Sequence, residues 1–133
     1  ALEITHMKPL DARQRVREVL QLVDLSEKSS HYPDQLSGGQ QQRAVIARAI
    51  ANKPKILIAD EPTGNLDPKK SGEIIKLLEK INHEEKTTIL MVTHDIGIVN
   101  QFKKRTIALE AGHIVADMAE GGYIQHESHH SAV

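Results

Sequence analysis

Two short, wholly apolar runs constrain the fold of this chain most strongly. They are ILIA at residues 56–59 and ILMV at residues 89–92, and polar side chains follow each run directly. Runs of this length without alternation are typical of strands that are buried on both faces, as in parallel sheets. We therefore predict two buried strands, over residues 55–59 and 87–93, in one parallel sheet.

Elsewhere the apolar residues recur at the spacing of amphipathic helices. Asp11, Ser37 and Asp67 are expected to cap three of these helices, whereas Pro9 is expected to break the chain before the first. The predicted helices cover residues 11–25, 37–51, a segment that opens at 67 and keeps its apolar stripe to 81, and 96–102.

Strands that alternate with helices predict an α/β fold with a parallel sheet. Two further strands, over residues 105–109 and 113–116, are expected to be joined at Gly112. The part before the first strand is helical only. The predicted divisions are a helical subdomain over 1–53, an α/β core over 54–119 and a polar tail over 120–133.

Composition excludes several classes of function. The 17 basic and 18 acidic residues nearly cancel, so no electrostatic footprint for nucleic acid exists, and the basic patch at residues 103–105 is expected to be a solvated rim. The absence of cysteine excludes disulfides and thiolate metal sites and fits a cytoplasmic protein. The apolar runs are far shorter than the roughly 18 residues of a spanning helix. We expect no direct membrane insertion, so any membrane contact would come through a partner.

Three histidines in the tail, His126, His129 and His130, could bind a metal ion. Short histidine tracts arise easily in polar tails that form no packed core. We therefore expect no metal site there.

The sequence LSGGQ at residues 36–40 precedes the second predicted helix. A helix N-terminus offers unpaired N–H groups, and Gly38 and Gly39 have no side chains, so a phosphate could approach the backbone closely. The hydroxyl of Ser37 could cap the helix or donate to a phosphate oxygen. These residues alone are equally compatible with an ordinary capped helix that follows a turn.

Two carboxylates end the first apolar run. Asp60 is a hard oxygen ligand suited to Mg²⁺, and Glu61 could act as a general base toward water. Open α/β sheets bind ligands at this carboxyl edge. The alternative is that two acidic residues merely end a strand. Adjacent carboxylates beside a buried run repel each other without a cation, which favours the functional interpretation.

Asp67 and His94 are further candidates. Asp67 is well placed to cap a helix because Pro68 follows it. We therefore expect it to have a structural role as well as a functional one. A single histidine is usually structural. His94, however, follows the second strand on the same predicted edge as Asp60 and Glu61, where it could sense a γ-phosphate or hold a water molecule.

Taken in order, LSGGQQQR at 36–43, ILIADEPTGNLD at 56–67 and VTHD at 92–95 resemble the ATP-binding subunits of ABC transporters. The resemblance covers residues 10–118 and implies part of a P-loop NTPase (RecA-like) domain: a helical subdomain that ends in the signature helix, then the C-terminal part of the core. DEPTGNLD is similar to the subgroup that serves cell-division, lipoprotein-release and macrolide-export systems. The ending LEAGHIVAD, followed by EGGY, leans toward the cell-division type.

The resemblance also implies roles, cofactors and partners. ATP and Mg²⁺ would be the cofactors, and the partners would be a second ATPase subunit in a homodimer and a membrane-embedded permease subunit, at the cytoplasmic face of the cell membrane. The implied residue roles are nucleotide contact for Ser37, Gly38, Gly39 and Gln40, Mg²⁺ binding for Asp60, general base for Glu61, coupling of the two sites for Asp67, and the switch for His94.

The phosphate-binding loop G-x-x-x-x-G-K-[ST] of such ATPases is not found, since no glycine in the sequence is followed by lysine. We therefore expect the C-terminal half of a subunit, beginning just after the family's glutamine loop and inactive alone. In the family a strand from the other half lies inside the sheet. Its removal would expose strand edges, so we also expect oligomers, strand swapping or a separate N-terminal piece.

Two other classes of function are considered. One is the C-terminal half of a chromosome-maintenance or DNA-repair ATPase head, which the lack of heptads before residue 36 and the presence of His94 disfavour. The other is a non-hydrolysing docking module, for which Glu61 and His94 would be unnecessary.

Overall fold

A computed structural model describes residues 7–120 of the 133-residue chain. The described residues fall into two compact units, which divide between Thr93 and His94. The predicted boundary between residues 53 and 54 lies within the first unit and stays a prediction. The three tail histidines lie outside the described residues.

The first unit combines three α-helices, two short 3₁₀ helices and two strands within the described residues. The order confirms the predicted α/β class, because a helix connects two parallel strands. The elements are α1 (Pro9–Leu22), 3₁₀ helices at Ser26–Lys28 and Pro33–Gln35, α2 (Gly38–Ile50), β1 (Ile56–Asp60), α3 (Pro68–Glu85) and β2 (Thr88–Val92).

The first helix begins earlier than predicted. Lys8 is the N-cap of α1 and Pro9 occupies its first turn, so Pro9 starts the helix and does not break the chain. Proline suits this position because the N–H groups of the first turn are unpaired in any case and its fixed φ is helical. Asp11 lies in that first turn, near the positive end of the helix dipole, and the prediction that it caps the helix is wrong.

β1 and β2 pair in parallel, from Ile56 opposite Thr88 to Asp60 opposite Val92. Because the two strands run in step, they end at the same level. The N–H of Glu61 continues the pairing past the end of β1 and donates to the Val92 carbonyl at 2.9 Å. The residues that follow both strands therefore leave from one edge of this sheet.

The apolar stripe of α3 forms much of the core of the first unit. Its predicted members Ile74, Leu77, Leu78 and Ile81 are all buried, with at most 5% of their surface exposed. Leu57 in β1 is buried as well. Burying four such side chains contributes on the order of 1.5–3 kcal/mol each to the hydrophobic term.

The opposite face of the sheet is exposed within the first unit. Ile58 in β1 and Leu90 in β2 show 66% and 54% of their surface, and Ile56 and Val92 are exposed too. The prediction that the strands are buried on both faces is therefore wrong for the described residues. Successive side chains in a strand point to opposite faces, and the helices of this unit leave the face that carries these four residues uncovered.

A buried arginine ties α1 to the ends of α2 and α3. Arg15 donates from Nε to the Ala51 carbonyl at 3.1 Å and from Nη2 to the Ile50 carbonyl at 2.9 Å. It also forms a two-pronged ion pair with Glu85, the last residue of α3, at 2.9 and 3.1 Å. The last carbonyls of a helix have no intrahelical partner, so one guanidinium serves the ends of two helices at once.

The second unit contains a short helix and a hairpin. Asp95 caps α4 (Ile96–Phe102), and β3 (Thr106–Glu110) pairs antiparallel with β4 (His113–Met118). Gly112, at φ 81°, lies in the turn between them, as predicted. No helix within residues 7–120 is long and apolar enough to span a bilayer.

A cross-strand ion pair closes the base of the hairpin. Arg105 donates two hydrogen bonds to the Asp117 carboxylate, at 2.8 and 3.0 Å. These bonds hold the pKa of Asp117 below its usual value and raise the pKa of Arg105. The pair is solvent-exposed, so it fixes geometry more than it adds stability.

Candidate functional site

The helix α2 begins with two reciprocal cap hydrogen bonds. The Oγ atom of Ser37 accepts from the Gln40 N–H at 3.4 Å, and the Oε1 atom of Gln40 accepts from the Ser37 N–H at 3.0 Å. This capping box confirms the prediction that Ser37 is the N-cap. It also engages the Gln40 side chain, so that the helix start presents mainly the backbone of Gly38 and Gly39.

Contacts among residues 7–120 do not explain why these two positions are glycine. A β-carbon on Gly38 would lie 3.8 Å from Cδ2 of Leu66, and one on Gly39 would lie 3.5 Å from Cδ of Lys70, which are ordinary van der Waals separations. Neither glycine has a positive φ. Alanine would favour the helix more. The two glycines therefore indicate an external group that approaches the backbone closely.

Asp67 is the N-cap of α3, as predicted. Its Oδ1 atom accepts from the Lys70 N–H at 3.0 Å, and its Oδ2 atom lies 2.7 Å from the Lys70 ammonium. These contacts hold the pKa of Asp67 below its usual value and raise the pKa of Lys70. Because Leu66 and Lys70 lie beside the two glycines, the starts of α2 and α3 are neighbours.

Asp60 and Glu61 follow one another at the carboxyl end of β1. Asp60 is exposed, and within residues 7–120 no hydrogen bond or ion pair engages its carboxylate. Glu61 is half-buried and adopts a positive φ of 44°. This left-handed conformation is unfavourable by about 1–2 kcal/mol for a residue other than glycine. Such strain persists where surrounding contacts impose it, and it is common at functional sites.

Backbone hydrogen bonds hold Glu61 from both sides. Its N–H donates to the Val92 carbonyl at 2.9 Å, and its own carbonyl accepts from the Gly64 N–H at 3.1 Å. A further bond, from the Leu66 N–H to the Thr63 carbonyl at 3.0 Å, tightens the turn that leads to α3. The carboxylate of Glu61 is thus attached to a main chain that hydrogen bonds hold in place. The same turn places Leu66 beside Gly38.

The acidic side chains at the end of β1 fit a Mg²⁺ ion that is bound together with a nucleotide. Among residues 7–120, no group of three or more His, Asp or Glu side chains converges as a metal cage. Mg²⁺ is usually bound through one or two carboxylates together with substrate phosphates. The exposed carboxylate of Asp60 could serve as one such ligand.

His94 opens the second unit, two residues after the end of β2. It is exposed and directly precedes Asp95, whose Oδ1 atom accepts from the Ile98 N–H at 3.2 Å and caps α4. Its proposed role beside Asp60 and Glu61 stays a prediction, as do the other assigned roles.

One residue of this site was missed from the sequence. Lys70 contacts both the cap of α3 and the start of α2. Its position three residues after Asp67, on the first turn of a predicted helix, is a usable signal, since side chains three apart face each other there. Its proximity to Gly39, by contrast, depends on tertiary packing.

Comparison with known proteins adds independent evidence. The ABC transporter family profile matches residues 2–64. The cell division ATP-binding protein FtsE of Bacillus subtilis is 54% identical over 123 residues, which is 92% of this chain and 54% of that protein. The chain therefore spans about half the length of this curated relative.

Solved structures of ABC transporter cassettes are also similar to this chain. The dimeric bacterial ABC transporter cassette MJ0796 is 44% identical, with a TM-score of 0.69 over 88% of this chain and 50% of that one. The same cassette in a post-hydrolysis state, bound to ADP and Pi, gives 42% and 0.68 over the same shares. CbiO1 from Clostridium perfringens, part of the complex cbiONQ, is 33% identical with a TM-score of 0.82 over 88% of this chain and 47% of that one.

The fold defines the class as part of a P-loop NTPase cassette. Within that class, the chain matches the ABC transporter family over residues 2–64, and it is similar to the FtsE proteins of cell division. The predicted fold and family are confirmed.

Proposed function

We propose that this chain supplies the signature and catalytic-carboxylate part of an ATP-hydrolysing subunit. The observation that carries the proposal is the capped start of α2, where no contact in the described part of the chain requires the two glycines. A phosphate is a group that needs a helix N-terminus without side chains. The similarity to nucleotide-bound MJ0796 supports a nucleotide as the source of that phosphate.

Ser37, Gly38 and Gly39 are assigned to the γ-phosphate of an ATP molecule that a second subunit holds. The first N–H groups of α2 and its positive dipole end attract the anion. Ser37 accepts a cap hydrogen bond through its oxygen and still has its hydroxyl proton to donate to a phosphate oxygen. Gln40 is assigned a supporting part in nucleotide binding, because its side chain holds the backbone of Ser37.

Glu61 is assigned as the general base that takes a proton from the attacking water. Its half-buried position and its two backbone hydrogen bonds support this role, since both limit the movement of the carboxylate. Asp60 would hold Mg²⁺, which when bound neutralises charge on the phosphates. Asp67 is assigned to couple the two ATP sites, and His94 to sense the γ-phosphate.

The proposed partners are a second copy of the subunit and a membrane-embedded permease subunit. The description of MJ0796 as dimeric supports the first, and that of CbiO1 as part of a transporter complex supports the second. The proposed location is the cytoplasmic face of the cell membrane, reached through the permease.

The 133-residue chain is expected to bind nucleotide poorly by itself. Its sequence contains no G-x-x-x-x-G-K-[ST] loop, so nothing grips the β and γ phosphates from the same chain. Mg-ATP should therefore leave its Tm unchanged in thermal-shift titrations, because only a bound ligand stabilises the folded state. The positive control is a full-length ATPase subunit that contains both this sequence and the phosphate-binding loop, and we call it the intact subunit. A saturable rise in Tm of the 133-residue chain at micromolar ATP would contradict this expectation.

Gly39→Ala is expected to separate stability from activity. The added methyl group meets only an ordinary contact with Lys70, so the Tm should stay constant or rise slightly. In the intact subunit the same methyl group would block the phosphate and reduce ATPase activity at least about tenfold, the effect of losing one hydrogen bond to a charged group.

Gly72→Ala provides the matched control. Gly72 lies within α3, where an added β-carbon meets no atom within 4 Å. This substitution should raise stability by roughly 0.5–1 kcal/mol and leave ATPase activity intact. If Gly39→Ala kept full activity as well, the signature glycines would not bind phosphate and the proposed function would fail.

A further inference from the structure

The start of α2 and the start of α3 share one lysine. The aliphatic stem of Lys70 lies over Gly39, where a β-carbon would meet its Cδ atom at 3.5 Å. Its ammonium reaches the Asp67 carboxylate at 2.7 Å. The same side chain therefore contacts a signature glycine with its stem and the cap of α3 with its charge.

The Asp67 carboxylate is committed to this lysine through both oxygens. Oδ1 accepts from the Lys70 backbone N–H, and Oδ2 pairs with the Lys70 ammonium. Asp67 therefore cannot rotate away from the helix start without losing one of these contacts. Leu66, the residue before it, lies beside Gly38. Leu66 and Lys70 thus lie on either side of Asp67 along the chain, and each lies beside one of the two signature glycines.

A second ion pair fixes the same two helices farther along. Arg43 of α2 lies 3.7 Å from the Glu73 carboxylate of α3 and 3.0 Å from the Asp24 carboxylate. Glu73 also attracts the Lys70 ammonium. Arg43 therefore links the two helices away from the site, and Lys70 lies at their N-terminal ends.

We infer that Lys70 is a positioning residue, which holds the Asp67 turn and the signature glycines in one arrangement. The inference rests on the proposed function, because it concerns how the phosphate-binding face is presented to a second subunit. Lys70 acts through Asp67 and the glycines and would touch no reacting atom. Its loss should weaken ATP use at low ATP concentration and leave the rate at saturating ATP almost unchanged.

The test is Lys70→Met in the intact subunit. Methionine keeps most of the stem over Gly39 and removes the ammonium. Both partners of the pair are about half exposed, so its loss should raise the KM for ATP about two- to fivefold, with kcat within about twofold of wild type. Salt near 1 M screens exposed charges, so the difference in KM between Lys70→Met and wild type should become smaller. Lys70→Arg should restore the KM.

Lys69→Met is the matched control. Lys69 is exposed on the same turn, and within residues 7–120 it forms no ion pair. Its loss changes net charge equally and should leave the KM unchanged. An equal KM change in both variants, a fall in kcat alone, or no rescue by arginine would overturn the inference. A fall in Tm without a change in KM would reduce Lys70 to a stabilising residue and overturn it too.

Gly39→Ala in the same assay distinguishes the two failures. If it abolishes activity while Lys70→Met has no effect, only the positioning role is lost. If both variants behave like wild type, the phosphate-binding role of the signature glycines fails as well.

Discussion

Replacing Glu61 with glutamine in the intact subunit should reduce ATP hydrolysis at least about a hundredfold, since a positioned general base contributes about 10²–10⁴-fold. Glutamine has nearly the same shape as glutamate but cannot accept the proton of the attacking water. Association of two subunits in the presence of ATP should persist, because binding and chemistry depend on different groups.

The fold should tolerate this substitution. The positive φ of residue 61 and its two backbone hydrogen bonds involve main-chain atoms, which Glu61→Gln leaves in place. The Tm should therefore change little. Steady-state ATPase assays measure the rate, and size-exclusion chromatography with and without ATP measures the association.

Glu84→Gln is the matched control, since Glu84 is an exposed residue near the end of α3. It should retain wild-type hydrolysis. Substantial hydrolysis by Glu61→Gln would remove Glu61 from the role of base. Loss of ATP-driven association in that variant would show that the carboxylate contributes to assembly.

Arg15→Met should cause the largest loss of stability, about 3–5 kcal/mol, which is typical when one partner of a buried ion pair is removed. Only 5% of the Arg15 surface is exposed. Methionine would leave the largely buried Glu85 carboxylate without its cation and the two carbonyls at the end of α2 without a donor. Urea denaturation followed by circular dichroism measures the free energy of unfolding.

Arg17→Met offers the control on the same helix. Arg17 is exposed, and its Nε atom only reaches the Arg13 carbonyl at 3.4 Å. Its replacement should stay within about 0.5 kcal/mol of wild type. Arg15→Lys should be intermediate, because one ammonium cannot reproduce the planar fork that serves both helices. Equal stability of the Arg15 and Arg17 variants would show that the buried network contributes nothing net.

The local elements were largely predictable from the sequence because their signals are local. Ser37 and Asp67 cap helices as their positions indicate, and the four-residue apolar stripe of α3 is buried. The hairpin turns at Gly112, where glycine tolerates a positive φ. The ordered motifs gave the family correctly, since three motifs in sequence are far more specific than one.

Contacts between distant residues could not be predicted. The hydrogen-bond partners of Arg15 lie 35 to 70 residues away along the chain. Its spacing from Val19 and Leu22 places it on the buried stripe of α1, but that spacing does not reveal which groups pair with its charge. The error at Pro9 has a different cause, since proline both breaks helices and begins them, and only the cap geometry decides. The prediction that the strands are buried on both faces was wrong because apolar content does not show whether a helix or another strand covers each face.

The in-step pairing of β1 and β2 bears on how sequences of this type can change length. Asp60 lies opposite Val92, so inserting or deleting one residue within either strand would displace the carboxylates from the sheet edge and turn the other side chains to the wrong face. Between the strands, α3 and the residues before Thr88 are restricted too, because Ile81 and Thr87 are buried and Glu85 pairs with Arg15. An insertion or deletion inside either five-residue strand would therefore mark a chain that has abandoned this chemistry.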